Sequence, residues 1–122
     1  MKSMADFYKY HGLGNDYIVI DPNKLNFNLK LNEKNIKLIC HRNFGIGSDG
    51  ILLGPIIKDG KLSFQIFNPD GSEAEKSGNG IRIFALYVHD QGYIKKSKFD
   101  LYTKGGKVVI NILDLKSNLI KV

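Results

Sequence analysis

SGNGIRIFALYVHDQG, residues 77–92, reads as a helix over 78–91 that is apolar around most of its circumference. Ile81, Ile83, Phe84, Ala85, Leu86, Tyr87 and Val88 leave no broad polar face. A helix of that composition is buried on most sides rather than laid on a surface. Gly92 ends it, as glycine does where the chain must leave a helix in a left-handed conformation. Such a helix needs other elements wrapped around it.

The flanking sequence supplies strands. Immediately upstream, Leu62–Phe67 (LSFQIF) and the short apolar run Ile51–Leu53 are joined across Asp59-Gly60, a strong hairpin signal. Downstream, FDLYT (99–103), KVVINIL (107–113) and NLIKV (118–122) read as three strands, separated by Gly105-Gly106 and by Lys116-Ser117-Asn118. At the N-terminus DFYKY (6–10) and YIVID (17–21) are β-branched and aromatic, bounded by HGLGND and by Asp21-Pro22. Between the two groups, Asn32 or Asn35 caps a second helix running to about Arg42, with Ile36, Ile39 and Cys40 on one face. NPDGSEAEKSGNG (68–80) reads as a long polar loop. There is no repeat or linker and no visible βαβ pattern. The expectation is a single domain over residues 1–122, strand-rich and α+β, built around one central helix.

Composition narrows the class. At 122 residues, 43% apolar and 25% charged, the chain has the size and balance of one ordinary globular domain. No apolar run approaches a membrane span, and MKSMADFYKYHG lacks the apolar core of a secretory signal. The single cysteine, Cys40, permits no internal disulfide, so a cytoplasmic location is expected. A net charge of +6 raises the question of nucleic acid, but sixteen lysines are scattered and only two arginines, Arg42 and Arg82, are present. The one cluster is Lys95, Lys96 and Lys98. Phosphate-reading surfaces concentrate basic residues and mix in arginine and stacking aromatics. Neither a nucleic-acid partner nor a membrane partner is expected. The chain stops at Val122 directly after a strand-like segment, which hints at further sequence beyond it.

Three glycine-rich segments bear on chemistry. Gly45-Ile46-Gly47-Ser48-Asp49-Gly50 matches G-x-G-x-x-G, but that motif binds a dinucleotide only after a strand and at the opening of a helix. Here a helix precedes and a strand follows, so NAD and FAD are rejected. His11-Gly12-Leu13-Gly14-Asn15-Asp16 is either a turn whose side chains satisfy local backbone, or a binding loop in which Asn15 offers donor and acceptor together. Asn68-Pro69-Asp70-Gly71-Ser72-Glu73 followed by Ser77-Gly78-Asn79-Gly80 enters the buried helix at its N-terminus. Free N–H groups and the positive end of the helix dipole converge there and suit a carboxylate or a phosphate. The alternative is that Ser77 or Asn79 is only an N-cap. No Lys-Ser/Thr follows the glycines, which argues against a P-loop. His41 and His89, on predicted helices, have no second ligand at metal spacing, and Cys40 reads as a buried small hydrophobe.

Taken in order, HGLGND with YIVID, GIGSDG, FNPDGSEAEKSGNGIR and FALY resemble the N-terminal half of the diaminopimelate epimerase family, from about Phe7 to Val122. The resemblance implies a cofactor-independent isomerase of two similar domains, each a mixed β-sheet curled around a central buried helix. The site would lie in the cleft between them. One cysteine from each domain would face the α-carbon, interconverting LL- and meso-diaminopimelate for lysine and peptidoglycan synthesis. Carried over, Asn15 and Asn68 would contact substrate, while Gly78 and Asn79 would cradle the α-carboxylate. The family's first catalytic cysteine falls on Ser77. A hydroxyl is a far weaker acid than a thiol and needs a neighbouring base. Gly50 stands where some members carry an amide that contacts substrate. The second domain is absent from these residues, so 122 residues alone are expected to be inactive. The partner would be that domain or a second copy in a homodimer; otherwise the chain is a non-catalytic amino-acid-binding or interaction domain.

Overall fold

The computed structural model describes residues 7–12, 15–25, 31–41, 47–75, 77–114 and 119–121. Ten elements follow one another: β1 (Phe7–Gly12), β2 (Asn15–Ile20), α1 (Glu33–Cys40), β3 (Ile51–Lys58), β4 (Lys61–Phe67), β5 (Glu73–Ala74), α2 (Gly78–Asp90), β6 (Lys98–Thr103), β7 (Gly106–Asp114) and β8 (Leu119–Lys121). The strands form one mixed sheet in the order β1-β2-β3-β4-β6-β7-β8, with β5 paired to β4.

The expected absence of a βαβ pattern is wrong. β2 and β3 pair in parallel with α1 between them, and β4 and β6 pair in parallel with α2 between them. Consecutive strands looked like hairpin partners because sequence gives each strand's faces but not its neighbour. The helix crossovers turn what reads as a meander into a mixed sheet.

Residues of α2 cover one face of this sheet. Tyr17, Val19, Leu52, Leu62, Phe64, Ile66, Phe99, Leu101, Val108, Ile110 and Ile112 all join its core cluster. These positions alternate along β2, β4, β6 and β7, which is the period of a strand with one face on the core. Phe64 and Phe84 stack with ring centres 4.1 Å apart. The intervening residues of β2 and β3 face the other way. Ile18, Ile20 and Ile51 pack with Ile36 and Cys40 of α1. Thus Tyr17–Ile20 is buried on both faces, and of the two described helices α2 is the one inside the curl of the sheet. The helix keeps one half-exposed stripe along Asn79, Arg82, Leu86 and His89, so the sheet does not close around it.

Several boundaries differ from the sequence reading. β3 continues beyond Leu53 through Gly54-Pro55 to Lys58, because a register shift between Leu53 and Ile56 absorbs the proline. The polar loop contains β5, whose Phe67↔Glu73 pairing folds it back on β4. α1 ends at Cys40, so His41 is its C-cap and is exposed rather than helical; Arg42 lies outside the described residues. Asn32, not Asn35, caps α1, accepting the Asn35 N–H at 2.8 Å. Asp59 and Gly60 both adopt positive φ, 53° and 76°, as a two-residue hairpin turn requires. The break expected at residues 116–118 lies outside the described set.

Candidate active site

The G-x-G-x-x-G segment shows why it is no phosphate loop. Gly47 N–H donates to the Ile39 carbonyl at 3.1 Å, Ser48 N–H to Cys40 at 3.2 Å and Asp49 N–H to Asp16 at 2.8 Å. The N–H groups that a phosphate would need are already bonded to backbone. Ser48 Oγ also donates to the Gly50 carbonyl at 3.0 Å, locking the segment between α1 and β2. Gly45 and Ile46 lie outside the described residues.

The start of α2 is arranged differently. Ser77 is its N-cap, in extended conformation, and Ser77 Oγ accepts the Gly80 N–H at 3.1 Å. The helical ladder begins with Ile81 N–H donating to the Ser77 carbonyl at 2.8 Å. The N–H groups of Gly78 and Asn79 precede that ladder and have no intrahelical acceptor. They point out of the helix end together with the positive end of its dipole. Gly78 is exposed, and a Cβ built on it would meet only Arg82 Nη1, at 3.7 Å. A carboxylate bound here therefore meets two N–H donors with a guanidinium alongside.

Gly80 is glycine for a steric reason. A Cβ there would lie 3.1 Å from Leu52 Cδ2 and 3.2 Å from Ser77 Oγ, so a side chain would press on the cap itself. Opposite the cap stands Tyr17 of β2, whose hydroxyl is 2.9 Å from Ser77 Oγ. The sequence reading missed this residue. Its only signal was an apolar-face position in YIVI, and nothing local pairs it with a serine 60 residues away.

The other singled-out residues are placed as follows. Asn68 follows β4, is exposed, and its amide nitrogen donates to Ser72 Oγ at 3.0 Å. Asn15 opens β2 opposite Gly12, in the strand rather than in a turn; its side chain lies outside the described set. Gly50 backs onto Tyr17, where an added Cβ would stand 2.8 Å from Tyr17 Cε1. Cys40 is buried and accepts from Ser48 Oγ at 3.3 Å, as a small core residue would. A groove of about 470 Å³ near Ile57, Tyr93 and Phe99 has none of the singled-out site residues in its lining.

At the far end of α2 a buried carboxylate holds the frame. Asp21 accepts from the Tyr87 and Tyr93 hydroxyls, each at 2.6 Å, and from Asn23 N–H at 2.9 Å. Burial, and then the hydrogen bond to Asp21, push the Tyr87 and Tyr93 phenols well above the usual range. This cluster ties the end of β2 to the end of α2, so both ends of the helix are fixed to the same strand.

Solved structures that share this fold include a phenazine biosynthesis PhzC/PhzF protein from Clostridium difficile, with a TM-score of 0.60 and 18% identity over 86% of this chain and 39% of that one. A methylitaconate-delta-isomerase matches with a TM-score of 0.58 and 14% identity, over 82% of this chain and 32% of that one. At those identities the likeness establishes the architecture: an α+β fold whose unclosed mixed sheet curls around a central helix. Sequence carries the assignment further. The family model for diaminopimelate epimerase matches residues 7–122, and the chain belongs to that family. A protein named diaminopimelate epimerase 2 from Nostoc sp. is 58% identical over 109 residues, which is 88% of this chain. The chain spans 38% of that relative's length. Among the described residues no helix is long and apolar enough to cross a membrane.

Proposed function

We propose that these residues form the first half of a diaminopimelate epimerase, acting in the cytoplasm without a cofactor in the route to lysine. In this reading the substrate α-carboxylate rests on the Gly78 and Asn79 N–H groups, beside Arg82. Asn15 and Asn68 orient the ammonium and carboxylate, and Ser77 is the acid/base on one face of the α-carbon. The other face is served by a second domain of similar fold. The observation that carries the proposal is the family match across residues 7–122; Ser77, where the resemblance puts the family's thiol, is the N-cap of the buried helix. Helix-end N–H groups aimed at the carboxylate stabilise the negative charge that builds as the α-proton leaves.

A specific observation favours one rival. Ser77, where the resemblance puts the family's thiol, already caps the helix, so a domain that only binds amino acids would keep the same geometry. Exchange of the α-hydrogen of LL- and meso-diaminopimelate in D₂O, followed by proton NMR, separates the two. The assay is run on the protein as its gene encodes it, and again with a relative's second domain added. Exchange that requires the second domain and rises in Ser77→Cys is the result expected for half an epimerase. Binding without exchange in every mixture establishes the amino-acid-binding reading instead.

A further inference from the structure

A serine asked to take a proton from carbon needs a base beside it. The Tyr17 hydroxyl, 2.9 Å from Ser77 Oγ, is the side-chain group in hydrogen-bond contact with it. A hydroxyl has one proton and two lone pairs, and one lone pair of Ser77 accepts the Gly80 N–H. One proton and one lone pair are left to be shared between Tyr17 and whatever lies on the helix end. Nor is the Tyr17 ring free to turn away. It is 8% exposed and pressed on Gly50, with Phe67 carbonyl oxygen bounding the same space. Gly50 and Ser77 thus meet at one phenol.

We propose that Tyr17 is the proton partner of Ser77, a positioning residue that acts on the α-carbon through the serine; this rests on the epimerase reading above. When the carbanion is protonated, its electron pair forms the new Cα–H bond as the Ser77 O–H bond breaks. Ser77 Oγ takes the Tyr17 proton in the same event, leaving a phenolate. In the reverse direction the phenolate takes the Ser77 proton while Ser77 Oγ takes the proton from Cα, and the C–H electron pair stays on carbon. One proton passes between carbon and Tyr17, the serine is unchanged, and no free alkoxide forms. The phenolate spreads its charge over the ring and sits by the positive end of α2. A thiol at position 77 has no need of this partner.

The test compares the wild-type protein with Tyr17→Phe, Ser77→Cys and the double variant by α-hydrogen exchange, with the second domain present and folding checked by circular dichroism. Tyr17→Phe is expected to slow exchange about 100-fold in the serine protein, the scale of a positioned acid/base. In the cysteine protein the same change is expected to cost less than about 3-fold, a non-additivity that direct coupling produces. Epimerisation by the wild type in H₂O/D₂O mixtures should depend on deuterium fraction with curvature, as two protons in flight require, and that measurement needs no variant. Equal losses in both backgrounds, or none in the serine protein, overturn the relay and leave the epimerase reading intact. If only the cysteine proteins exchange, the relay is overturned and so is the reading of Ser77 as the acid/base of the wild-type protein. Absence of exchange in all four proteins overturns the epimerase reading and the relay with it.

Discussion

Gly50 has no room for a side chain. A Cβ there would lie 2.8 Å from both the Phe67 carbonyl oxygen and Tyr17 Cε1, and of these only the tyrosine ring can yield. Gly50→Ala is therefore expected to push Tyr17 off Ser77 and to destabilise the domain by about 1–3 kcal/mol, the usual cost of overpacking. Urea unfolding of the variant measures the second effect, and the exchange assay the first. An alanine variant of wild-type stability and activity would show that the Tyr17 ring is not pinned. Ser77 also caps α2 besides its proposed duty as proton carrier, and the two substitutions at this position test them differently. Ser77→Ala removes the Gly80 N–H acceptor along with the proton carrier, whereas cysteine keeps a group of similar size at the helix end.

Among the described elements, α2 has the most buried residues, set against a single half-exposed stripe. Phe84 is fully buried and stacked on Phe64, while Leu86 lies on the half-exposed stripe. Phe84→Ala should cost about 3–5 kcal/mol, because the transfer and cavity terms both apply. Leu86→Ala should cost well under half as much, since solvent already reaches the site. Chemical denaturation of the two variants reads the difference. Equal costs would mean that the stripe is covered by some other part of the protein. By comparison α1 is held more lightly: Ile36 and Cys40 are its buried residues, and its Glu33–Lys37 ion pair at 2.9 Å is exposed. Such a surface pair is screened by solvent and adds little to stability.

At the scale of the whole molecule, Asp21 holds the phenols of α2 and of the turn after it, and the β1 rings of Tyr8 and Tyr10 pack on Tyr87. Burial, then the Asp90 and Tyr8 charges, push Tyr10 up to about 12, and Tyr87 and Tyr93 are raised as well. Each phenol keeps its proton in the folded state at a pH where the unfolded chain, titrating near 10.0, has given it up. The folded form thus binds more protons than the unfolded one above that pH, and stability falls as pH rises. Urea midpoints should be insensitive to these groups below about pH 10 and drop progressively between about pH 10 and 12. Midpoints that hold steady to pH 12 would show that the phenols ionise as readily folded as unfolded. The half-exposed stripe of α2 and the unclosed sheet leave the first turn of α2, the proposed carboxylate cradle, partly open. A second domain can reach it without unfolding any described element.

What the linear order of residues determined was local. The all-round apolar pattern of 78–91 required a buried helix, alternation required strands with one core face, and Asp59-Gly60 required a hairpin, each because backbone geometry and solvent act within a few residues. The diaminopimelate epimerase family was legible for the same reason, since its glycine motifs are contiguous. Only tertiary structure decided the two parallel pairings, the buried Asp21 beneath Tyr87 and Tyr93, and the contact between Tyr17 and Ser77. Those depend on which strand lies beside which, a choice made by the packing of whole faces around α2. A hydroxyl on one core-facing strand carries no mark of the cap it will meet 60 residues later.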